Sequence, residues 1–405
     1  MNYTKITLKP GKEDSFHRFH PWVFSGAIYR FEKQPEEGEI VEVTDHQGNF
    51  IGVGQYQIGS IAVRILSFKP ETIDEAFYVK RLQEAYNVRL SLALLNEHNN
   101  TCRLVHGEGD NLPGLIVDLY DRTAVMQAHT PGMHYARHQI AEALKTVLGD
   151  RIDNIYYKSE TTLPYKAELD AENEYLLGGD APNIATENGL KFYVDWVRGQ
   201  KTGFFVDQRE NRALLERYAR GRSVLNMFCY TGGFSFYAMR GNAKLVHSVD
   251  SSSKAIDLTC RNVELNFPGD SRHQAFAVDA FTCVQVSRLH GRPVRPHHTR
   301  PTGLRQTQEG AEQRPARLPQ AQCQGHREDS PGRHPLHLLL FAGGKQGEFQ
   351  AGGLQRGGTD GAQRAHPAPA HPAGRPPRKH LPPRGRIPER AGSLCRINQF
   401  QNHII

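Results

Sequence analysis

The sequence predicts an α+β N-terminal part, a small β-barrel followed by a central α+β domain, and then an α/β Rossmann-like domain that breaks off after its third strand. Three observations carry this. To about residue 70, apolar residues alternate with polar ones in short runs divided by glycines. Between Ser223 and Asp279, three apolar strands alternate with a glycine turn and two helices, the order of a βαβαβ half-sheet. Near residue 284 the composition of a folded protein stops. Residues 284–405 hold 15 of the 24 prolines but only 3 of the 36 aromatic residues.

Residues 1–70 form the barrel. Gly38–Thr44, Phe50–Tyr56 and Ser60–Ser67 each alternate at a period of two. In Arg18-Phe-His-Pro-Trp-Val-Phe-Ser-Gly-Ala-Ile28, a Pro-Trp pair precedes a turn glycine. Trp22 is expected to close the barrel core rather than to stack on a base.

Residues 71–185 form the central domain. A helix is expected from Ile73 to Leu95, with Val79, Leu82, Tyr86, Leu90 and Leu94 recurring at steps of three and four. Asp110-Asn-Leu-Pro-Gly114 then marks a tight connection into a buried strand, Leu115–Tyr120. Arg103, Glu108 and Asp110 stand beside these turn residues, where polar side chains more often brace a turn than perform chemistry.

Residues 186–283 carry the candidate ligand site. Ser223–Arg240 reads as a buried strand, a glycine turn and a helix. The next strand, Lys244–Asp250, ends in an acid 17 residues after Gly233. A helix from Ser252 to Leu265 follows, capped by Ser252 or Ser253, with Ile256, Cys260 and Val263 on its apolar face. The third strand, Gln274–Asp279, again closes on an acid. Ligands of such sheets sit outside the carboxyl ends of the strands. Gly232 and Gly233 let backbone approach a ligand, and Asp250 is placed to accept from two ribose hydroxyls rather than to be a solvated turn acid, while Asp279 stays open between reaching an adenine amino group and being such a turn acid. The absence of G-x-G-x-x-G removes the nicotinamide and flavin fingerprint, leaving an adenosine-containing ligand of another kind. Upstream, Phe204 and Phe205 are placed to pack on an adenine or on the sheet. Gln208 and Arg209 are placed to face the ligand or RNA phosphate. Arg212 and Arg217 are expected on a solvated helix face. Cys229 is expected to be a turn residue, not a nucleophile.

Beyond the seam, Lys and Arg outnumber Asp and Glu by 19 to 7; before it they are outnumbered, 31 to 36. The overall +7 therefore comes from the tail alone, and a protein-wide argument for nucleic-acid binding from charge fails. A disordered basic appendage would have this composition. Translation in the wrong reading frame accounts for more. Read one base later, codons for Val294–Arg305 can spell YDLIILDPPAF, those for His334–Gly343 ILFTFSCSQ, and those for His380–Ala391 IYHPEGEYLKG. Three strand-like strings in one frame and a sensible order favour the frameshift. The six cysteines (Cys102, Cys229, Cys260, Cys283, Cys323 and Cys395) show no pairing or metal spacing, so no metal site and a reducing, cytoplasmic setting are expected. No signal peptide and no membrane span is read from the chain.

Phe228-Cys-Tyr-Thr-Gly-Gly-Phe-Ser235 resembles the first cofactor motif of class I S-adenosylmethionine-dependent methyltransferases. With Arg103–Tyr120, Lys201–Arg212 and Asn226–Ser235, residues 1–283 resemble the bacterial large-subunit (23S) ribosomal RNA cytosine-C5 methyltransferases. The resemblance implies a PUA-like RNA-binding barrel, a central domain, a Rossmann-like catalytic domain and S-adenosylmethionine as methyl donor. It implies cofactor contacts from Phe205, Gln208, Asn226, Phe228, Tyr230, Thr231, Gly232, Gly233, Asp250, Ser251, Asp279 and Ala280. Large-subunit ribosomal RNA is the implied partner, with no membrane and a homodimer left open. The family's D-P-P motif, whose carboxylate steadies the cytosine, and its S-C-S motif, whose thiolate attacks C6, are absent as written and appear in the shifted strings. No catalytic residue is therefore nominated, and the chain is expected to be inactive. Without a fourth strand, the first strand of the α/β sheet is expected to have an open edge. The alternatives are N-methylation of a guanine and a non-catalytic RNA-binding protein.

Overall fold

A computed structural model describes residues 3–164, 169, 172–179 and 182–279, together with the strand 338–341. Ala280 and the rest of the tail lie outside the described residues.

Six strands, β1 (Thr4–Leu8), β2 (Trp22–Phe24), β3 (Ile28–Phe31), β4 (Ile40–Thr44), β5 (Phe50–Tyr56) and β6 (Ile61–Ser67), form one sheet in the order β2-β6-β5-β4-β1-β3. All six contribute to a single core, including Ile6 and Leu8, Val23, Ile28, Val41 and Val43, Tyr56, and Val63 and Ile65. A sheet whose every strand faces one core has curled on itself. Gly54 permits the curl, since a Cβ there would lie 2.3 Å from the Arg64 carbonyl oxygen. Trp22 does not close this core. On β2 the period of two turns Val23 inward, fully buried, and leaves Trp22 half-buried and Phe24 exposed on the outer face.

The central part holds helix α1 (Glu75–Ser91), strands β7 (Thr101–His106), β8 (Leu115–Tyr120) and β9 (Thr123–Ala128), helices α2 (Pro131–Tyr135) and α3 (Arg137–Leu148), and strands β10 (Asn154–Tyr157) and β11 (Glu174–Leu177). Its sheet runs β11-β10-β9-β8-β7. Helix α1 is shorter than its periodicity promises. Asp74 caps it by accepting from Phe77 N at 3.0 Å, and Ala93, held left-handed at φ 52°, ends it before Leu95.

The hairpin of β12 (Ile184–Glu187) and β13 (Leu190–Tyr193) precedes helix α4 (Arg209–Ala219). There follow β14 (Ser223–Met227), α5 (Gly233–Arg240), β15 (Leu245–Asp250), α6 (Ser253–Asn266) and β16 (His273–Ala277). Ser252 caps α6, accepting from Ala255 N at 3.3 Å. Thr259, not Cys260, takes the buried side of α6; Cys260 is exposed. β16 ends at Ala277, so Asp279 stands two residues beyond the strand.

The expected open edge of β14 is closed. A seventeenth strand, β17 (Leu338–Phe341), pairs with β14 in parallel, Val224 opposite Leu338 through Met227 opposite Phe341, in a sheet of order β16-β15-β14-β17. The unpaired N–H and C=O groups of an apolar strand need partners, and Leu-Leu-Leu-Phe supplies them. Four apolar residues among arginines, prolines and glycines were too short a run to read as a strand.

Candidate active site

The turn leaving β14 is built on strained backbone. Phe228 (φ 57°), Tyr230 (φ 49°) and Gly232 (φ 80°) all lie in the left-handed region. The glycine pair meets protein at close range. A Cβ on Gly232 would stand 2.6 Å from Thr259 Cγ2, and one on Gly233 would stand 3.2 Å from both Arg212 Cδ and Phe204 Cζ. These glycines seat the turn against α6 and α4, a role the ligand-approach reading did not include.

Asp250 at the end of β15 pins the turn: its carboxylate accepts from Tyr230 N at 2.9 Å and from Ser252 N at 3.0 Å. Tyr230 in turn grips residues 199–205. Its hydroxyl donates to the Gly203 carbonyl at 3.0 Å and accepts from Gln200 N at 3.0 Å, and its ring meets Phe205 edge-on at 5.4 Å. Burial pushes the Tyr230 phenol up to about 12, so it keeps its donor proton at neutral pH.

Two buried atoms on β14 and its turn lack partners among the described residues: Asn226 Oδ1 and Thr231 Oγ1. Asn226 donates through Nδ2 to Ser235 Oγ at 2.9 Å, which fixes the side chain and leaves Oδ1 to accept. A ligand with N–H and O–H donors suits this set. Phe228 is exposed, Phe205 and Gln208 are half-buried, and Ser251 and Asp279 are exposed at the strand ends. The structure thus brings Asn226, Phe228, Tyr230, Thr231, Gly232, Gly233 and Asp250 into one turn and strand-end cluster, with Phe205 beside it.

Two arginines differ from the sequence expectation. Arg209 and Arg212 are both buried, and neither lies on a solvated helix face. Arg212 donates to both oxygens of the fully buried Glu187 at 2.7 Å each, and to the Phe205 carbonyl at 3.0 Å. Its guanidinium lies 4.5 Å over the Phe204 ring, and Phe204 stacks on Phe192. Arg209 reaches Glu187 at 3.5 Å and the Thr101 carbonyl, and Tyr237 OH donates to Glu187 at 2.9 Å. Glu187 and Tyr237 went unnoticed. The signal was present: Arg209, Arg212, Leu215 and Ala219 share the buried stripe of α4. Arg217 is exposed as expected. Cys229 is buried and its thiol is pushed up to about 12, chiefly by burial, consistent with a turn residue.

Residues 6–68 match a PUA-like domain and residues 160–286 match the S-adenosylmethionine-dependent methyltransferase family. The ribosomal RNA large subunit methyltransferase I of Erwinia tasmaniensis is 40% identical over 291 residues, covering 71% of this chain and 73% of that protein. The chain belongs to the ribosomal RNA large subunit methyltransferase I family. The member from Tolumonas auensis is 40% identical over 294 residues and one from Escherichia coli 36% over 291, each covering 71% of this chain and 73% of its own length. Like this family, the chain is of the S-adenosylmethionine-dependent methyltransferase class, and S-adenosylmethionine is its cofactor. Two solved structures share the fold at 24% identity. A Streptococcus mutans protein assigned as a SAM-dependent methyltransferase has a TM-score of 0.61, covering 71% of this chain and 74% of that one. A protein assigned as a methyltransferase and solved with SAH has a TM-score of 0.62, covering 71% and 73%. Among the described residues no helix is long and apolar enough to cross a membrane, and no cluster of metal ligands occurs.

Proposed function

We propose that this fold serves methyl transfer from S-adenosylmethionine to C5 of a cytosine in large-subunit ribosomal RNA, in the cytoplasm, and that this chain retains the cofactor half of the site without the catalytic half. The turn Phe228–Gly233, pinned by Asp250, carries the reading. The cofactor supplies an electrophilic methyl group. Asn226 Oδ1 and Thr231 Oγ1 would accept from its polar end, Asp250 would accept from the ribose, Phe205 and Phe228 would flank the adenine, and Gln208, Ser251 and Asp279 would border it.

Carbon methylation needs a thiolate to add at C6 before C5 is nucleophilic enough to take the methyl group. None of the described cysteines suits this. Cys102 and Cys229 are buried with thiols pushed up to about 12, and Cys260 sits on the outer face of α6. The frameshift reading accounts for the loss, since codons for the tail exist that spell D-P-P and S-C-S when read one base later. N-methylation of a guanine needs no thiolate, and a purely RNA-binding protein needs no cofactor.

The test uses tritiated S-adenosylmethionine, unmodified large-subunit ribosomal RNA, and both this chain and a frame-restored version. This chain is expected to bind S-adenosylhomocysteine in calorimetry and to transfer no label; labelled RNA would refute its inactivity, and absent binding would refute the cofactor site. The restored chain is expected to yield 5-methylcytosine by nucleoside mass spectrometry. An N-methylguanine product would decide for the alternative.

A further inference from the structure

The barrel and the central sheet meet at a seam whose groups the methyl-donor site does not use. Trp22 on β2 donates its indole N–H to Glu108 Oε1 at 2.8 Å, in the short turn Gly107–Asp110 after β7. Arg64 faces Trp22 across the β2–β6 ladder. Its Nη1 is shut off from solvent and has no hydrogen-bond partner among the described residues. A guanidinium left short of acceptors is unfavourable, and since Arg64 as a residue is only half-buried, an anionic oxygen from outside can add one.

Arg103, His106 and His129 stand close by. Arg103 Nη1 lies 3.4 Å from His106 Nδ1. The His129 ring reaches solvent, yet its pKa is held down, first by crowding and then by the charges of Arg103 and Arg64. Glu108 is the acid whose charge reaches both Arg64 and His129. Beside Arg64 runs a row of aromatic rings: His20 and Trp22 meet edge-on at 5.6 Å, Trp22 and Phe24 at 6.5 Å, and Phe24 is 49% exposed. The seam also shares an anchor with the donor site. Asp118 accepts from Arg103 at 2.9 Å and from Thr202 at 2.6 Å, and Thr202 belongs to the segment that Tyr230 grips.

We infer that this seam is the track for single-stranded RNA, with a backbone phosphate at Arg64 and a base stacked on Phe24. Cations that follow a backbone beside rings that accept any base are the recurrent means of holding single strands. An acidic peptide would use Arg64 but give no reason for the exposed aromatic row. The inference rests on the ribosomal RNA reading above.

The experiment measures fluorescence anisotropy of a fluorescein-labelled single-stranded RNA of mixed sequence with the full chain across a KCl series. Arg64→Gln is expected to weaken binding by about tenfold at low salt and to lower the log–log salt slope by about 1. Arg64→Lys, which keeps the charge, is expected to keep the slope. Phe24→Ala is expected to weaken binding by about fivefold without changing the slope. The basic tail is common to every variant, so these differences report on the seam. Photo-crosslinking with 4-thiouridine RNA is expected to label the peptide containing Phe24. Unchanged binding in the Gln and Ala variants, crosslinks confined to residues 284–405, or no RNA binding at all would each overturn the inference. S-adenosylhomocysteine calorimetry on the same proteins separates that failure from a failure of the donor site.

Discussion

Arg212 shows how much one misjudged side chain alters a reading. With two hydrogen bonds to the buried Glu187 and one to the Phe205 carbonyl, it ties the β12–β13 hairpin to the segment beside the cofactor turn. Removing one member of a buried pair leaves the other charge without compensation in a medium that solvates it poorly. Arg212→Met is therefore expected to lower unfolding stability by about 3 kcal/mol, read from the urea midpoint. It should also weaken S-adenosylhomocysteine binding, because the Phe205 carbonyl beside the turn loses the Arg212 donor. A second residue carries the pH dependence. His273 Nε2 meets Ser248 Oγ at 2.8 Å, and burial first, then His247, lowers its pKa to about 4. An unfolded histidine titrates near 6.5, so on acidification the unfolded chain takes up a proton that the folded one refuses. Stability present at neutral pH is thus lost as pH falls from about 6.5 toward 4. Thermal melting at pH 7 and pH 5 checks this. His273→Gln should shrink the drop between the two, and an undiminished drop would assign it elsewhere.

At the scale of the element, the turn after β14 is the sensitive part. Gly232 holds φ 80° with Thr259 pressed against the place a Cβ would occupy. Gly232→Ala adds a left-handed alanine, about 1–2 kcal/mol, and a clash with α6. The expected outcome is S-adenosylhomocysteine binding weakened about tenfold or more in calorimetry, with the circular dichroism of the sheet retained. Such elements were legible because punctuation and period agreed. Gly232-Gly233 marked the turn, Ser252 the cap, and alternating or continuous apolar runs the strands. What failed did so for physical reasons. Arg209 and Arg212 were judged by their charge, although the helical period puts both on the stripe of Leu215 and Ala219, and their partner Glu187 lies far off in sequence. Trp22 was judged by its size, although a period of two gives the inner position to Val23. Asn226 Oδ1 and Thr231 Oγ1, buried and without partners among the described residues, become visible as candidates only once packing shows what they lack.

For the whole molecule, the question is what residues 284–405 do for the rest. Strand β17 occupies the edge of β14, so part of the tail completes the hydrogen bonding of the cofactor sheet whatever its reading frame. A chain ending at residue 283 would lose that partner and expose a ladder of free N–H and C=O groups along an apolar strand, a template for pairing between copies. Charge has to be screened out of the comparison: the full chain carries +7, concentrated in the tail, and the shortened one, with 31 Lys and Arg against 36 Asp and Glu, carries −5. A difference in association that persists at high salt reports on the edge rather than on colloidal charge. The shortened chain is expected to scatter light increasingly with concentration at neutral pH. Its affinity for S-adenosylhomocysteine should stay within about threefold, because Asp250 holds the turn through Tyr230 N, and Tyr230 holds Gly203 and Gln200, all of them outside the residues removed. A shortened chain that stayed monodisperse and melted at the same temperature would mean that β17 adds nothing to the sheet. If it lost S-adenosylhomocysteine binding while remaining folded, the donor site would extend into the residues removed, against the proposal that the cofactor half lies wholly before them.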